Sequence, residues 1–412
     1  MGGAAAPFGA AVTGIGMVTP AGVGTEAAWE RIRAAEGTAA GRVPALDGIP
    51  ADVGCWIPEF DAAATLGRRK VWRLDRSTQL ALAAAAEALA DSGLDPATWD
   101  DARVGVVLGN GVGGTATWEK NHDVLRERGP EKVSAMLIPM LIVNMSAGYI
   151  AMEYGARGPN FVTATACASG TTAVGAARDL LRSGACDVVI TGGTESCLTP
   201  SIIAGFQQMG VLSNRRDDPA ASSRPFDAHR DGFVPAEGAA VLVLERPEDA
   251  RARGARIRAL VSGYGASADA YNATAPDPEG AGAELALRAA LRDAGLGPDA
   301  VDHVNAHGTS TPLNDLAEAR LIRRVLGDRP AVTSVKGVTG HALGAAGAIE
   351  AAVTALTVEQ GIIPPTANLD SLDPAIELDV VAKAERTGPV EAAVSNSFGF
   401  GGQNAVLLMT RP

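Results

Sequence analysis

The chain is poor in the residue types that most often betray a function. Aromatics make up 4% of its 412 residues, there are only five histidines and four cysteines, and acidic residues outnumber basic ones by 47 to 35. Cys55, Cys167, Cys186 and Cys197 fall at irregular spacings, which form neither a disulfide framework nor a zinc pattern, so reduced thiols in a cytoplasmic protein are expected. The net charge of −12 repels polyphosphate and anionic lipid, which argues against general nucleic-acid or membrane-surface binding. An acidic partner would need a local basic patch, and Arg68-Arg69-Lys70 with Arg73, or Arg215-Arg216, could supply one. The start of the chain, Met1-Gly2-Gly3-Ala4-Ala5-Ala6-Pro7, lacks a basic region ahead of an apolar run, so no signal peptide is expected. Two uncharged runs, 133–152 and 158–177, approach membrane-span length, but Pro139, Asn144, Pro159 and several Thr and Ser interrupt them. Both read as buried core.

What is abundant is small and apolar: 47% hydrophobic residues and 49 glycines, which suits closely packed helices and strands joined by tight turns. The pattern also repeats. Residues 80–94 and 284–296 both read as amphipathic helices closed by Gly93 and Gly295. The strand-like segments around them correspond in order: 11–16 with 259–265, 104–110 with 301–307, 161–167 with 331–336, and 186–193 with 392–399. Strand, helix, strand, helix in duplicate predicts an α/β fold of two similar halves with packed sheets. The expected halves span residues 8–250 and 255–412, joined by a charged linker over 245–256 that contains Pro247 and Gly254.

Cys167 ends an apolar strand-like segment just before a run of small residues that can open a helix inside the core. The positive end of that helix would favour a thiolate and lower the thiol pKa. A lone cysteine in such a run is more often a packing residue, and that reading stands for Cys55, Cys186 and Cys197. Histidine is scarce, yet His307 and His341 fall at matching strand ends of the second half. Joined to Cys167 across the two halves, they make a nucleophile with two proton donors or bases. The Gly-rich segment 398–404 lacks the Lys-Ser/Thr of a phosphate loop and suits close backbone approach to a ligand. The amides of Phe400 and Cys167 would then form an oxyanion hole.

In order and spacing, Thr165-Ala-Cys167-Ala-Ser-Gly, Val304-Asn-Ala-His307-Gly-Thr-Ser-Thr-Pro, Lys336-Gly-Val-Thr-Gly-His341-Ala-Leu-Gly and Asn396-Ser-Phe-Gly-Phe400-Gly-Gly resemble the elongating β-ketoacyl-acyl-carrier-protein synthases of fatty-acid and type II polyketide synthesis. The resemblance covers essentially the whole chain. It implies a thiolase-like fold, two duplicated α/β halves in a five-layered αβαβα arrangement, a dimer, and a decarboxylative Claisen condensation without cofactor or metal. Cys167 would carry the acyl thioester. His307 and His341 would promote decarboxylation of malonyl carrier protein, and Lys336 would organise the polar network with Glu350. Thr309 and Thr311 match a pantetheine channel, Phe400 a gating aromatic, and Arg69, Arg73, Lys132 and Arg215 a docking face for acidic acyl carrier protein. Glu131 departs from the basic residue common at its position. Trp118 stands where a smaller apolar residue is common, and is expected to shorten the acyl pocket.

Residues also weigh against neighbouring activities. No Cys follows Cys197, unlike a thiolase, and the third catalytic position is His341, where initiating synthases carry Asn. The alternatives kept open are a coenzyme A-dependent thiolase-type acyltransferase and a non-catalytic chain-length or scaffold partner. Homodimer and heterodimer with a chain-length-factor subunit both remain open, and polyketide duty is slightly favoured over fatty-acid duty.

Overall fold

A computed structural model describes residues 7–412. The leader-free reading of Met1–Ala6 lies outside these residues. Ten strands carry the architecture: β1 (Ala10–Thr19), β2 (Val104–Gly109), β3 (Asn160–Thr163), β4 (Val188–Ser196) and β5 (Glu237–Glu245), then β6 (Ala259–Ala268), β7 (His303–Asn305), β8 (Ala331–Thr333), β9 (Ala392–Gly399) and β10 (Gln403–Thr410). The first five lie in the order β3-β2-β4-β5-β1 and the second five in the order β8-β7-β9-β10-β6. In both sets three strands are parallel and the last two antiparallel, so the sequence repeat is a repeat of topology. The two half-sheets are continuous, because Ala10, Ala11 and Val12 of β1 pair with Val261, Leu260 and Ala259 of β6. Strands β1, β4 and β5 are buried along their whole length, which explains why they read as near-unbroken runs of apolar and small residues.

Six helices build the layers: α1 (Arg76–Ser92), α2 (Thr115–Arg128), α3 (Ser169–Arg182), α4 (Ala281–Ala294), α5 (Pro312–Leu326) and α6 (Ala346–Gln360). α1 covers β1 and β5, and α4 covers β6 and β10 as its counterpart. α3 and α6 pack on each other between the half-sheets, and every residue of α6 from Ala346 to Val358 is buried. The stack is therefore helix, sheet, helix, sheet, helix.

Close approach of α1 and α4 to their sheets depends on paired glycines. A Cβ at Gly16 would lie 2.0 Å from Ala84 O, and one at Gly265 would lie 2.0 Å from Ala286 O. Each outer helix is closed by a left-handed glycine, Gly93 at φ 68° and Gly295 at φ 68°. Between β5 and β6 the chain forms a short helix, Pro247–Ala252.

The two uncharged runs behave differently. Residues 158–177 enter β3 and α3, but much of 133–152 is surface: Ile138, Ile142 and Met152 are 59%, 42% and 63% exposed. Their expected burial within this chain is thus corrected, since the short helices Leu137–Leu141 and Met145–Tyr154 turn one side outward. Among the described residues no helix is long and apolar enough to cross a membrane.

Candidate active site

The sequence places Cys167 where β3 hands over to α3, in a single 3-10 turn, Ala166–Ala168. The turn is tightly determined. Ala166 adopts φ 49°, a conformation that is strained for any residue with a Cβ. Ser169 Oγ donates to Ala166 O (2.7 Å) and accepts from Thr165 N–H (2.9 Å). Gly399 of β9 lets the strand pass against this turn, since a Cβ there would sit 2.7 Å from Thr165 O. The next residue, Phe400, points its backbone N–H at the Cys167 sulfur.

From the second half come both imidazoles. His307 follows β7, where its own N–H and that of Gly308 donate to the two carboxylate oxygens of Glu318 on α5, each at 2.8 Å. Asn396 Nδ2 donates to the same carboxylate at 3.0 Å. His341 follows the short helix Lys336–Thr339 and is clamped by backbone bonds to Val234 O (2.8 Å) and from Ala236 N–H (3.0 Å). The rings of His307 and His341 meet edge to face at 5.4 Å, and Phe398 and Phe233 flank them at 5.9 and 5.3 Å.

Lys336 is 1% exposed; its Nζ donates to His307 O at 2.6 Å, lies 3.4 Å from His307 Nδ1, and pairs with Glu350 Oε1. An ammonium beside Nδ1 makes that nitrogen the acceptor, which leaves the ring proton on Nε2. Burial, reinforced by the Lys336 charge, holds both His307 and His341 well below the usual imidazole range, so both are neutral. Burial lifts the Glu350 carboxyl to about 7 against the pull of Lys336.

The thiol expectation is corrected. Burial pushes Cys167 up to about 11, although Lys336 and the Phe400 N–H oppose it. Desolvation outweighs the helix terminus because the sulfur lies in an apolar cluster with Leu343, Val112 and Phe206.

These groups line one cavity of about 760 Å3, which holds Cys167, His307, His341, Thr309, Thr311 and Phe400 together. Thr309 and Thr311 share a hydrogen bond of 2.9 Å between their hydroxyls. Lys336 and Glu350 lie behind the imidazoles rather than on the wall. Trp118 is outside it: α2 turns this indole outward, 45% exposed and stacked on His122 at 5.3 Å. Arg69, Arg73 and Lys132 are exposed, with Arg73 over the Trp72 ring at 4.5 Å, whereas Arg215 is half-buried and its guanidinium reaches His229 O at 3.5 Å. Among the described residues no cluster of His, Cys, Asp and Glu is arranged to hold a metal.

Glu318 and Glu195 were missed by the sequence reading, yet each carried a signal. Glu318 lies at helical spacing from Leu321, Ile322 and Val325 and so on the buried face of α5. Glu195 is a lone charge at the end of a fully buried strand.

Residues 10–250 match the N-terminal domain of β-ketoacyl synthase and residues 258–370 its C-terminal domain. The chain is 42% identical over 403 residues to the 3-oxoacyl-[acyl-carrier-protein] synthase 2 of Synechocystis sp., covering 96% of each chain. Among solved structures it resembles the ishigamide ketosynthase/chain length factor, with TM-score 0.92 and 33% identity over 99% of this chain and 100% of the other. A type II polyketide ketosynthase complex solved with its acyl-carrier protein matches with TM-score 0.91 and 32% identity, over 98% and 100% of the two chains. The chain belongs to the β-ketoacyl synthase family and is a condensing acyltransferase with a thiolase-like fold.

Proposed function

We propose that this enzyme elongates acyl chains by decarboxylative condensation of an acyl group held on Cys167 with malonyl-acyl carrier protein. The observation that carries the reading is the meeting, on one cavity wall, of a thiol from the first half (8–250) and two neutral imidazoles from the second (255–412). In the first step the Cys167 sulfur attacks the acyl thioester, the carrier thiol leaves, and the thiol proton goes with it. The Phe400 N–H stands beside the sulfur and faces the oxyanion formed there. In the second step the malonyl carboxylate leaves as CO2 and its bonding pair becomes an enolate. Neutral His307 and His341 can each donate an N–H to the thioester oxygen as that charge develops, and the Lys336 ammonium behind them stabilises it. The enolate carbon then attacks the acyl carbonyl, and the Cys167 sulfur leaves and regains a proton.

Thr309 and Thr311 suit the amides of a pantetheine arm. On a chain of net charge −12, the exposed cations Arg69, Arg73 and Lys132 suit an acidic carrier protein, with Arg215 at the margin. The partly exposed edge strand β3 and the apolar residues Ile138, Ile142, Met152 and Phe161 suit a subunit partner, either a second copy or a chain-length-factor subunit. The outward Trp118 suits that contact better than the acyl pocket. Identity is higher to the synthase 2 enzyme than to the polyketide ketosynthases, which moves the balance from polyketide towards fatty-acid duty. Four buried free thiols fit a cytoplasmic enzyme.

The test is mass spectrometry of the purified chain after incubation with acyl carrier protein, with CO2 release from malonyl carrier protein measured alongside. An acyl adduct on Cys167 and CO2 release are expected. A folded chain without adduct, alone or with its partner subunit, would be a scaffold.

A further inference from the structure

Glu195 ends β4 beside the reaction cavity, is fully buried, and has no part in the chemistry above. Its carboxylate accepts three backbone N–H groups: Gly111 at 2.8 Å, Val112 at 3.4 Å and Gly344 at 3.2 Å. Gly111 and Val112 follow β2 in the first half, and Gly344 follows His341 in the second. Each turn presents one apolar side chain to the nucleophile, since Val112 and Leu343 pack in the cluster that contains Cys167.

The fit is close on both sides. A Cβ at Gly111 or at Gly344 would lie 2.7 Å from Glu195 Oε2. Leu343 is held at φ 43°, a left-handed conformation strained for leucine, so its turn needs an external brace. Among the described residues the partners of this carboxyl are these backbone N–H groups, and burial lifts it to about 7. A buried carboxyl bound only to backbone is costly, and here its bonds go to the two turns that flank the acyl-bearing sulfur.

The cavity is polarised along its length. Leu313 and Met209 are 67% and 41% exposed at the mouth, while Cys167, Glu195 and Leu343 are buried at the inner end. Val112 and Leu343 line this cavity and share the apolar cluster of Cys167, so they neighbour any acyl group that the sulfur carries.

We propose that Glu195 is a positioning residue for acyl selectivity: its carboxylate latches the Val112 turn of the first half to the Leu343 turn of the second and so limits the acyl chain that fits beside Cys167. The inference rests on the ketosynthase reading above. Without the latch both turns relax away from the sulfur, and the pocket gains room for longer chains.

The experiment compares the full wild-type chain, Glu195→Ala, Glu195→Gln and Gly344→Ala, each offered one short-chain and one long-chain saturated acyl carrier protein. The rate and KM of Cys167 acylation are read by mass spectrometry. Glu195→Ala should raise the long-to-short ratio of kcat/KM about tenfold, mainly through KM, the scale of one or two methylenes in an apolar pocket. Glu195→Gln keeps an oxygen that can accept from Gly111 and Gly344, and its ratio should stay within about twofold of wild type. Gly344→Ala drives a methyl to 2.5 Å from Gly111 N and 2.7 Å from Glu195 Oε2, so it forces the two turns apart at the latch, should move the ratio as Glu195→Ala does, and serves if that variant fails to fold. Proportional loss with both donors, an unchanged ratio, or Glu195→Gln matching Glu195→Ala would each overturn the latch. If wild type takes no acyl group from either donor, the ketosynthase reading falls and the latch with it.

Discussion

The two halves share strand order, outer helices and even the glycines beneath those helices, but their site-facing strand ends carry opposite chemistry. In the first half the ends of β3 and β4 supply a strained turn with Cys167 and a buried carboxyl, Glu195. In the second, the ends of β7 and β8 supply His307 and the buried Lys336. The repeated topology brings both sets of strand ends to one cavity, where one set carries the nucleophile and the other the electrophilic groups. A repeated scaffold thus decides where groups meet, and the local side chains decide what they do.

Removing the chemistry from either half should have the largest effect, with different signatures. Cys167→Ala should abolish the acyl adduct and lower condensation by roughly 10⁴-fold or more. His307→Ala or His341→Ala should leave the adduct and lower CO2 release from malonyl carrier protein by about 10²–10⁴-fold. Parallel assays of adduct and CO2 measure both; loss of acylation in the histidine variants would break the division of labour.

Next in size is the ion pair behind the imidazoles, found in the second half alone. Lys336→Met leaves Glu350 uncompensated in the core and should lower unfolding stability by about 3–5 kcal/mol. Adding Glu350→Leu should recover most of that in urea unfolding without recovering activity, because the charge that supports the enolate is still missing. Activity regained with stability would mean that Lys336 serves only to hold the fold.

Much of this division was legible in the chain. Strand and helix periodicity revealed the duplicate order, and the scarcity of histidine singled out His307 and His341. The rest depends on quantities that one-dimensional patterns do not carry. The acidity of Cys167 turned on desolvation by residues as distant as Val112 and Leu343, not on the helix that follows it. Glu318 and Glu195 did not stand out because the N–H groups they accept come from other segments of the chain. Trp118 faces outward in the single chain because the rotation of α2 is set by its packing neighbours, and only Thr117 and Asn121 of that helix are buried.

The glycines test the symmetry of the scaffold directly. Gly16→Ala and Gly265→Ala each drive a methyl to 2.0 Å from a helix carbonyl, so α1 or α4 must lift off its sheet. Both should cost about 1–3 kcal/mol by chemical denaturation, and by similar amounts. A large difference between them would show that the two outer helices are not held alike.

The smallest effect concerns a difference inside matching strands. His303 of β7 is fully buried, neither ring nitrogen has a partner among the described residues, and burial lowers its pKa to about 3; the corresponding residue of β2 is Val106. In the unfolded chain the imidazole titrates near 6.5. Above that value neither state binds the proton and His303 adds no pH dependence. Below it the unfolded chain gains a proton that the folded chain refuses, so stability falls with pH until about 3, by at most about 1.4 kcal/mol per pH unit. His303→Val removes this slope while the contributions of His307 and His341 stay in both proteins. Between pH 7.5 and 5.5 the variant should therefore gain about 1.4 kcal/mol on wild type in urea unfolding, whatever constant offset its smaller side chain introduces. A pH-independent difference would mean that β7 opens enough to hydrate His303, and that the second half is less tightly closed around its core than the first.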